Sequence, residues 1–81
     1  MAIEGAIRFI RDAERDPALR ESCYRAEGSM LDHIASLGYI FTMDEFDDAI
    51  RSMKLKCQHA YQAEALVELE TWFRFLIGAH A

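Results

Sequence analysis

The sequence predicts an all-α fold, a small bundle of four to five short helices in a single domain that covers residues 1–81. Three observations support this prediction. Apolar residues recur at helical spacing in several segments. No Val-, Ile- or Thr-rich alternating run of the kind that forms strands occurs. Glycine and proline are scarce, and neither occurs between Gly38 and Gly78.

The first helix is predicted from about Ala2 to Arg15. Glu4 and Arg8 stand four residues apart, in the order that favours an ion pair on a helix surface. Arg15 lies in the last turn, where the helix dipole favours a cation. The apolar stripe that we expect to face the core consists of Ile3, Ala6, Ile7 and Ile10, widened by Phe9 and Ala13.

The second helix is predicted to begin at Pro17. Asp16 is a favourable N-cap, and Pro17 is a favourable first residue because that position needs no backbone N–H. We expect the helix to run to about Glu27, with Gly28 as its left-handed C-cap. Its predicted buried residues are Leu19, Cys23 and Ala26.

The third helix is predicted from Met30 to Leu37. Ser29 is its N-cap, with Asp32 three residues on as a weak form of the capping box. Gly38 is expected to end it with a positive φ. Its predicted buried residues are Leu31, Ile34 and Ala35.

The fourth helix has the clearest start signal. Thr42 and Glu45 have the spacing of a full capping box, and Phe41 before the cap can pack on Phe46 as a hydrophobic staple. The buried stripe is predicted to be Phe46, Ala49, Ile50, Met53 and Cys57.

The apolar face changes between Lys56 and Ala65. If the stripe of the fourth helix continued at 3.6 residues per turn, it would bury Glu64 and Glu68. A second stripe begins instead, so we expect an aromatic C-terminal helix over residues 58–78. It is either a separate helix that folds back or the protruding end of one long helix. The second stripe consists of Leu66, Leu69, Phe73, Leu76 and Ile77.

The C-terminal segment is also the predicted partner-binding site. Around Trp72 and Phe75 it is apolar on nearly every side, with Arg74 as the only polar residue from Trp72 to Ile77. Several such side chains exceed what a small domain leaves exposed, and a two-fold dimer is the simplest closed solution. We therefore predict a protein partner, with a homodimer as the first expectation, bound through Leu66, Leu69, Trp72, Phe73, Phe75, Leu76 and Ile77. If the helix instead folds back as a fifth helix, we expect part of the stripe to complete the monomer core and only the Trp72–Phe75 side to remain for a partner.

Composition and charge argue against several other classes of function. The net charge of −5 supplies no basic face for phosphates, so no nucleic acid is expected. No apolar run approaches the length of a membrane span, and no signal peptide is visible. With only two cysteines, Cys23 and Cys57, no multi-bridge disulfide framework can form. We expect a cytoplasmic protein with reduced thiols.

The spacing of ionisable residues indicates neither a metal site nor a catalytic one. No two of His33, His59 and His80 stand four residues apart, and no Cys-x-x-Cys occurs. The acidic residues at the start of the fourth helix are explained by the helix dipole, not by a calcium loop. We therefore predict a non-catalytic protein without metal or cofactor. That acidic group is Asp44, Glu45, Asp47 and Asp48.

Residues 1 to about 50 carry an ordered series of motifs. In its order and spacing the series resembles the nitrogen-fixation "Nif-eleven" family of small bacterial proteins. The Gly-Tyr-x-Phe-Thr part, residues 38–42, is the more specific half. The matching residues are Phe9, Asp16-Pro17-Ala18-Leu19, Ala26, Ile34-Ala35, Gly38-Tyr39, Phe41-Thr42 and Glu45-Phe46.

The resemblance implies a standalone bacterial protein of unknown role, often found in bacteria that fix nitrogen. It also implies an alternative role as a leader-like domain. In such precursors a similar domain precedes a core peptide, is recognised by a peptide-modifying enzyme and is removed at a Gly-Gly or Gly-Ala site. Only His80 and Ala81 follow Gly78-Ala79 in this sequence. We therefore expect the standalone role of a protein–protein interaction module.

Overall fold

The computed structural model describes residues 3–79 and confirms the all-α prediction. Those residues form five helices and no strand: α1 (Ile3–Arg15), α2 (Pro17–Tyr24), α3 (Met30–Ser36), α4 (Met43–Leu55) and α5 (Ala60–Ala79). The predicted start of the first helix at Ala2 lies outside the described residues, as does His80.

The helix starts predicted from the sequence are confirmed. The Asp16 carboxylate accepts a hydrogen bond from the Ala18 N–H at 2.9 Å, and Ser29 caps α3. At α4 the Thr42 hydroxyl accepts from the Glu45 N–H at 3.1 Å, and the Glu45 carboxylate accepts from the Thr42 N–H at 2.8 Å. These bonds satisfy backbone donors that the first turn of a helix leaves unpaired.

Of the two predicted glycine stops, only Gly38 ends a helix. Its φ is +99°, its N–H donates to the Ala35 carbonyl, and the next N–H donates to the Ile34 carbonyl. This pair of bonds is a Schellman motif. Gly28 also has a positive φ, +78°, but α2 has already ended at Tyr24, so the predicted end at Glu27 is wrong. The chain leaves the helix early, and Ala26 is buried from the connection.

The core is one cluster to which every helix contributes. Its centre is aromatic: the Phe73 ring on α5 lies 5.1 Å from Phe9 on α1 and 4.7 Å from Phe46 on α4, between ring centroids. Phe41 stacks on Phe46 at 6.1 Å, which confirms the hydrophobic staple.

The buried face of α3 differs from the predicted one. Ile34 is fully buried as expected, but Ala35 is exposed and Met30, the first helical residue, is buried in its place. Leu31 on α3 and Leu19 on α2 are only half-buried. A helix of seven residues has room for two large core contacts one turn apart, and Met30 and Ile34 provide them.

The fourth and fifth helices are separate, which decides between the two alternatives left by the sequence. The side-chain oxygen of Gln62 accepts hydrogen bonds from the N–H groups of Gln58 and His59, at 3.0 and 3.2 Å. Gln62 therefore caps the start of α5, although the residue before the helix, His59, is not one of the usual capping residues Ser, Thr, Asn and Asp. Because α5 then folds back against α1, α3 and α4, it does not protrude.

Ion pairs hold α5 against α4. The Glu70 carboxylate lies 3.1 Å from the Lys54 ammonium and 3.0 Å from the Arg74 guanidinium, and Arg74 also pairs with Asp47. The Glu70 side chain is only 22% exposed, so these contacts are less screened than ordinary surface pairs. They fix which side of α5 faces α4 and thereby which side faces α1.

Candidate functional site

The structure assigns most of the predicted partner-binding stripe to the core. Leu66, Leu69, Phe73 and Leu76 are at most 6% exposed. The prediction that these four form a free surface is wrong, because folding back of α5 turns their stripe towards α1 and α4. The argument for a homodimer through this stripe loses its basis for the same reason.

The other three predicted residues lie in different surroundings. Ile77 and Trp72 are half-buried and pack against the core. Phe75 is 69% exposed on the outer side of α5. The structure therefore does not bring the seven residues together on one surface.

Between α1 and α5 the structure contains a groove made of two adjoining cavities, each of about 410 Å³. The two cavities of this groove are neighbours, because Glu14 of α1 and Ala65 of α5 line both of them. We call it the α1/α5 groove. Three residues predicted from the sequence contribute to it: Leu66 lines the first cavity, and Leu69 and Trp72 line the second.

The groove is long enough to accommodate about three turns of a helix. Along α5 it extends from Tyr61 to Trp72, which at 1.5 Å per residue is about 16 Å, or three helical turns. Ala65 stands between them, and its small side chain allows close approach of a second backbone. The side chain of Tyr61 is 68% exposed at one end.

Two aromatic rings form the other end of the groove. Tyr24 at the end of α2 meets Trp72 edge-on, with ring centroids 6.3 Å apart, and Tyr24 remains 59% exposed. The indole N–H of Trp72 is buried and has no hydrogen-bond acceptor within the described chain. A buried donor without an acceptor is destabilising, so this N–H carries a cost in the described structure.

Charged groups line the middle of the groove. The Arg20 guanidinium donates to the carbonyls of Ala13 and Glu14, and so satisfies the exposed end of α1. Partial burial raises the pKa of the Glu14 carboxyl, an effect that the neighbouring Arg15 opposes. The groove therefore combines apolar and charged lining residues, with a partly buried carboxyl group where the two cavities meet.

A second feature of chemical interest lies between α2 and α3. The Ser22 hydroxyl is 2.9 Å from Nε2 of His33, and a cavity lies beside this pair. Ser–His contacts supply the nucleophile and base of many hydrolases, in which a carboxylate orients the histidine. Among residues 3–79 no carboxylate is hydrogen-bonded to His33, so the contact accounts for the joining of the two helices and no more. Sequence reasoning missed the pair because its members are 11 residues apart on different helices.

The two cysteines and the histidines form no common site in the part of the chain that the structure describes. Cys23 is fully buried, and this burial raises the pKa of its thiol. Cys57 is half-buried and donates to the Met53 carbonyl at 3.3 Å. Across residues 3–79 no three His, Cys, Asp or Glu side chains are grouped to hold a metal ion.

Residues 3–79 form a five-helix all-α fold with a groove between α1 and α5. Within the described residues no helix is both long and apolar enough to cross a membrane. Comparisons with family models, curated proteins and solved structures found no match for this chain. The resemblance to the Nif-eleven family stays a prediction.

Proposed function

We propose that this protein is an interaction module that binds a helix of a partner protein in the α1/α5 groove. The observation that carries the proposal is that two cavities lie next to each other along α5 and share Glu14 and Ala65 in their linings. One cavity of about 410 Å³ accommodates a single large side chain or a small ligand, whereas two in line over three helical turns match successive anchors of an amphipathic helix.

The aromatic residues at the groove support binding of this kind. Tyr and Trp are enriched among residues that dominate binding energy, because they bury a large area and lose little side-chain entropy. The groove carries such residues at both ends: Tyr61 at one, and Tyr24 with Trp72 at the other.

The outer face of α5 is a weaker candidate. Phe75 and Val67 are exposed there, at 69% and 47%. They stand about two turns apart, and neither residue lines the α1/α5 groove. Single exposed apolar side chains are ordinary on protein surfaces.

The proposal is tested by selecting binders from a displayed library of 12-residue helical peptides, a length of about 18 Å. Each selected peptide is then measured by calorimetry against two variants, Ala65→Tyr, which fills the groove, and Thr71→Tyr, the matched control on the exposed face. We expect Ala65→Tyr to reduce affinity by at least tenfold and Thr71→Tyr to leave it within twofold. Circular dichroism of both variants verifies the fold. A failure to select peptides, or binding that survives Ala65→Tyr, would contradict the proposal.

Both roles implied by the resemblance are binding roles and are compatible with this module. A standalone protein linked to nitrogen fixation binds its partner through the groove, and a leader-like domain presents the same groove to a modifying enzyme. A gene for a peptide-modifying enzyme or peptidase next to the gene for this chain favours the leader role. The absence of such a neighbouring gene, together with a stable complex in the native host, favours the standalone role.

A further inference from the structure

Two cations at one end of the groove have no side-chain partner among residues 3–79. The nine lysine and arginine residues all lie within residues 3–79. Within the described residues Arg11 and Lys56 form neither a side-chain hydrogen bond nor an ion pair, and both line the first cavity. The other seven cations do form such contacts: Arg8, Arg15, Arg20, Arg25, Arg51, Lys54 and Arg74.

The surroundings of this cation pair are mainly apolar. Met53, Cys57 and Leu66 contribute to the lining of the same cavity, and Ala65 continues into the next. Glu14 is the one carboxylate in the described lining of this first cavity, and it also lines the second, where Glu68 is a further carboxylate. Arg11 stands three residues from Glu14 on α1 but forms no ion pair with it. The two positive charges thus remain available to a ligand.

We propose that the cation pair selects a carboxylate on the docked helix, so that the partner is an amphipathic helix with Asp or Glu at the end that lies over Arg11 and Lys56. This inference rests on the proposed function and adds the chemistry and the direction of the partner. The net charge of −5 repels a strongly acidic segment. One or two carboxylates at this end, followed by apolar residues along the groove, therefore fit better than an acidic run.

The position of the cations at one end gives the groove a polarity. Where the apolar contacts tolerate either direction of the helix, a carboxylate over Arg11 and Lys56 favours one of them. Charged groups at the rim of an interface contribute to orientation and specificity more than to affinity. We therefore expect a moderate effect on the dissociation constant, about three- to tenfold, with a clear dependence on salt.

The test uses the selected peptides and two double variants of the whole chain. Arg11→Gln with Lys56→Gln removes the cation pair. Arg25→Gln with Arg51→Gln is the matched control, because it removes the same charge from two cations outside the groove lining. Each protein is titrated with the best peptide and with its Glu→Gln form, at low and high salt.

We expect a terminal Asp or Glu among the selected peptides. We also expect three- to tenfold weaker binding to the groove double variant, and no further loss when the peptide is also changed to Gln. The control double variant stays within twofold. Selection of basic peptides, or no effect of the groove double variant on binding that depends on Ala65, overturns this inference and leaves the groove itself intact. The absence of any binding that depends on Ala65 removes both proposals.

Discussion

The sharpest prediction concerns Phe73, which the sequence placed on a partner surface and the structure places in the core. Its ring is fully buried and lies within 6.1 Å of Phe9, Phe41 and Phe46, between centroids. Truncating a buried Phe to Ala costs about 3–5 kcal/mol, the sum of lost transfer energy and a residual cavity. A domain of this size has a total stability of roughly 4–12 kcal/mol. We therefore expect Phe73→Ala to remove a large part of the free energy of unfolding.

The assay is urea denaturation followed by circular dichroism at 222 nm, with Phe75→Ala as the control. Phe75 is on the same helix, two residues away and 69% exposed, so its truncation is expected to change stability by no more than about 0.5 kcal/mol. A loss of less than about 1 kcal/mol for Phe73→Ala, or equal losses for the two variants, would refute the placement of α5. Phe73→Glu is expected to prevent folding, because it buries a charge without a partner.

Three further variants test local features of the fold. A Cβ on Gly5 would lie 2.6 Å from the Ile40 carbonyl oxygen, so Gly5→Ala should lower the free energy of unfolding by about 1–3 kcal/mol. Gly78 has open space around it, so Gly78→Ala should not lower it. Equal effects of the two variants would show that the placement of α1 against Ile40 is wrong. Thr42→Ala should cost about 1 kcal/mol in the same denaturation assay, and an unchanged midpoint would argue against the capping box. Partial burial raises the pKa of Glu70, but hydrogen bonding to Lys54 and Arg74 outweighs this effect and lowers the pKa from 4.5. The stabilisation that Glu70 contributes is therefore present above pH 4.5 and is lost as the pH falls through the folded-state pKa. Stability measured against pH should therefore drop less on acidification for Glu70→Gln, and parallel curves would contradict the ion-pair network.

The sequence predicted those parts of the fold that depend on local signals. The capping box at Thr42 and the stop at Gly38 were predictable, because each requires a residue type at a fixed spacing. The packed side of α5 was only partly predictable. Its stripe of apolar residues was visible, but whether the stripe meets α1 and α4 or a second molecule depends on the break before α5. Gln62 makes that break by capping with a side chain that carries no strong start signal.

The candidate site depended even more on tertiary structure. Glu14 and Ala65 are 51 positions apart in the chain, and neither residue type suggests a binding surface. The free state of Arg11 and Lys56 is visible only once the partners of the other cations are known. Trp72 was the exception, since an aromatic residue outside the main stripe already indicated a contact with a partner. The structure buries Phe73 in the core, so its assignment to a partner surface is wrong, whereas a partner contact of the half-buried Trp72 stays a prediction.

The central claim, that the α1/α5 groove binds a partner helix, is tested most directly on Trp72. It is the only tryptophan in the chain, so its indole N–H gives a single resonance in a ¹⁵N–¹H correlation spectrum. Titration with a selected 12-residue peptide should shift this resonance saturably, together with the amide signals of Tyr61 and Ala65, and leave that of Phe75 in place. An unmoved indole signal, with shifts confined to Val67 and Phe75, would contradict the account and assign binding to the outer face of α5.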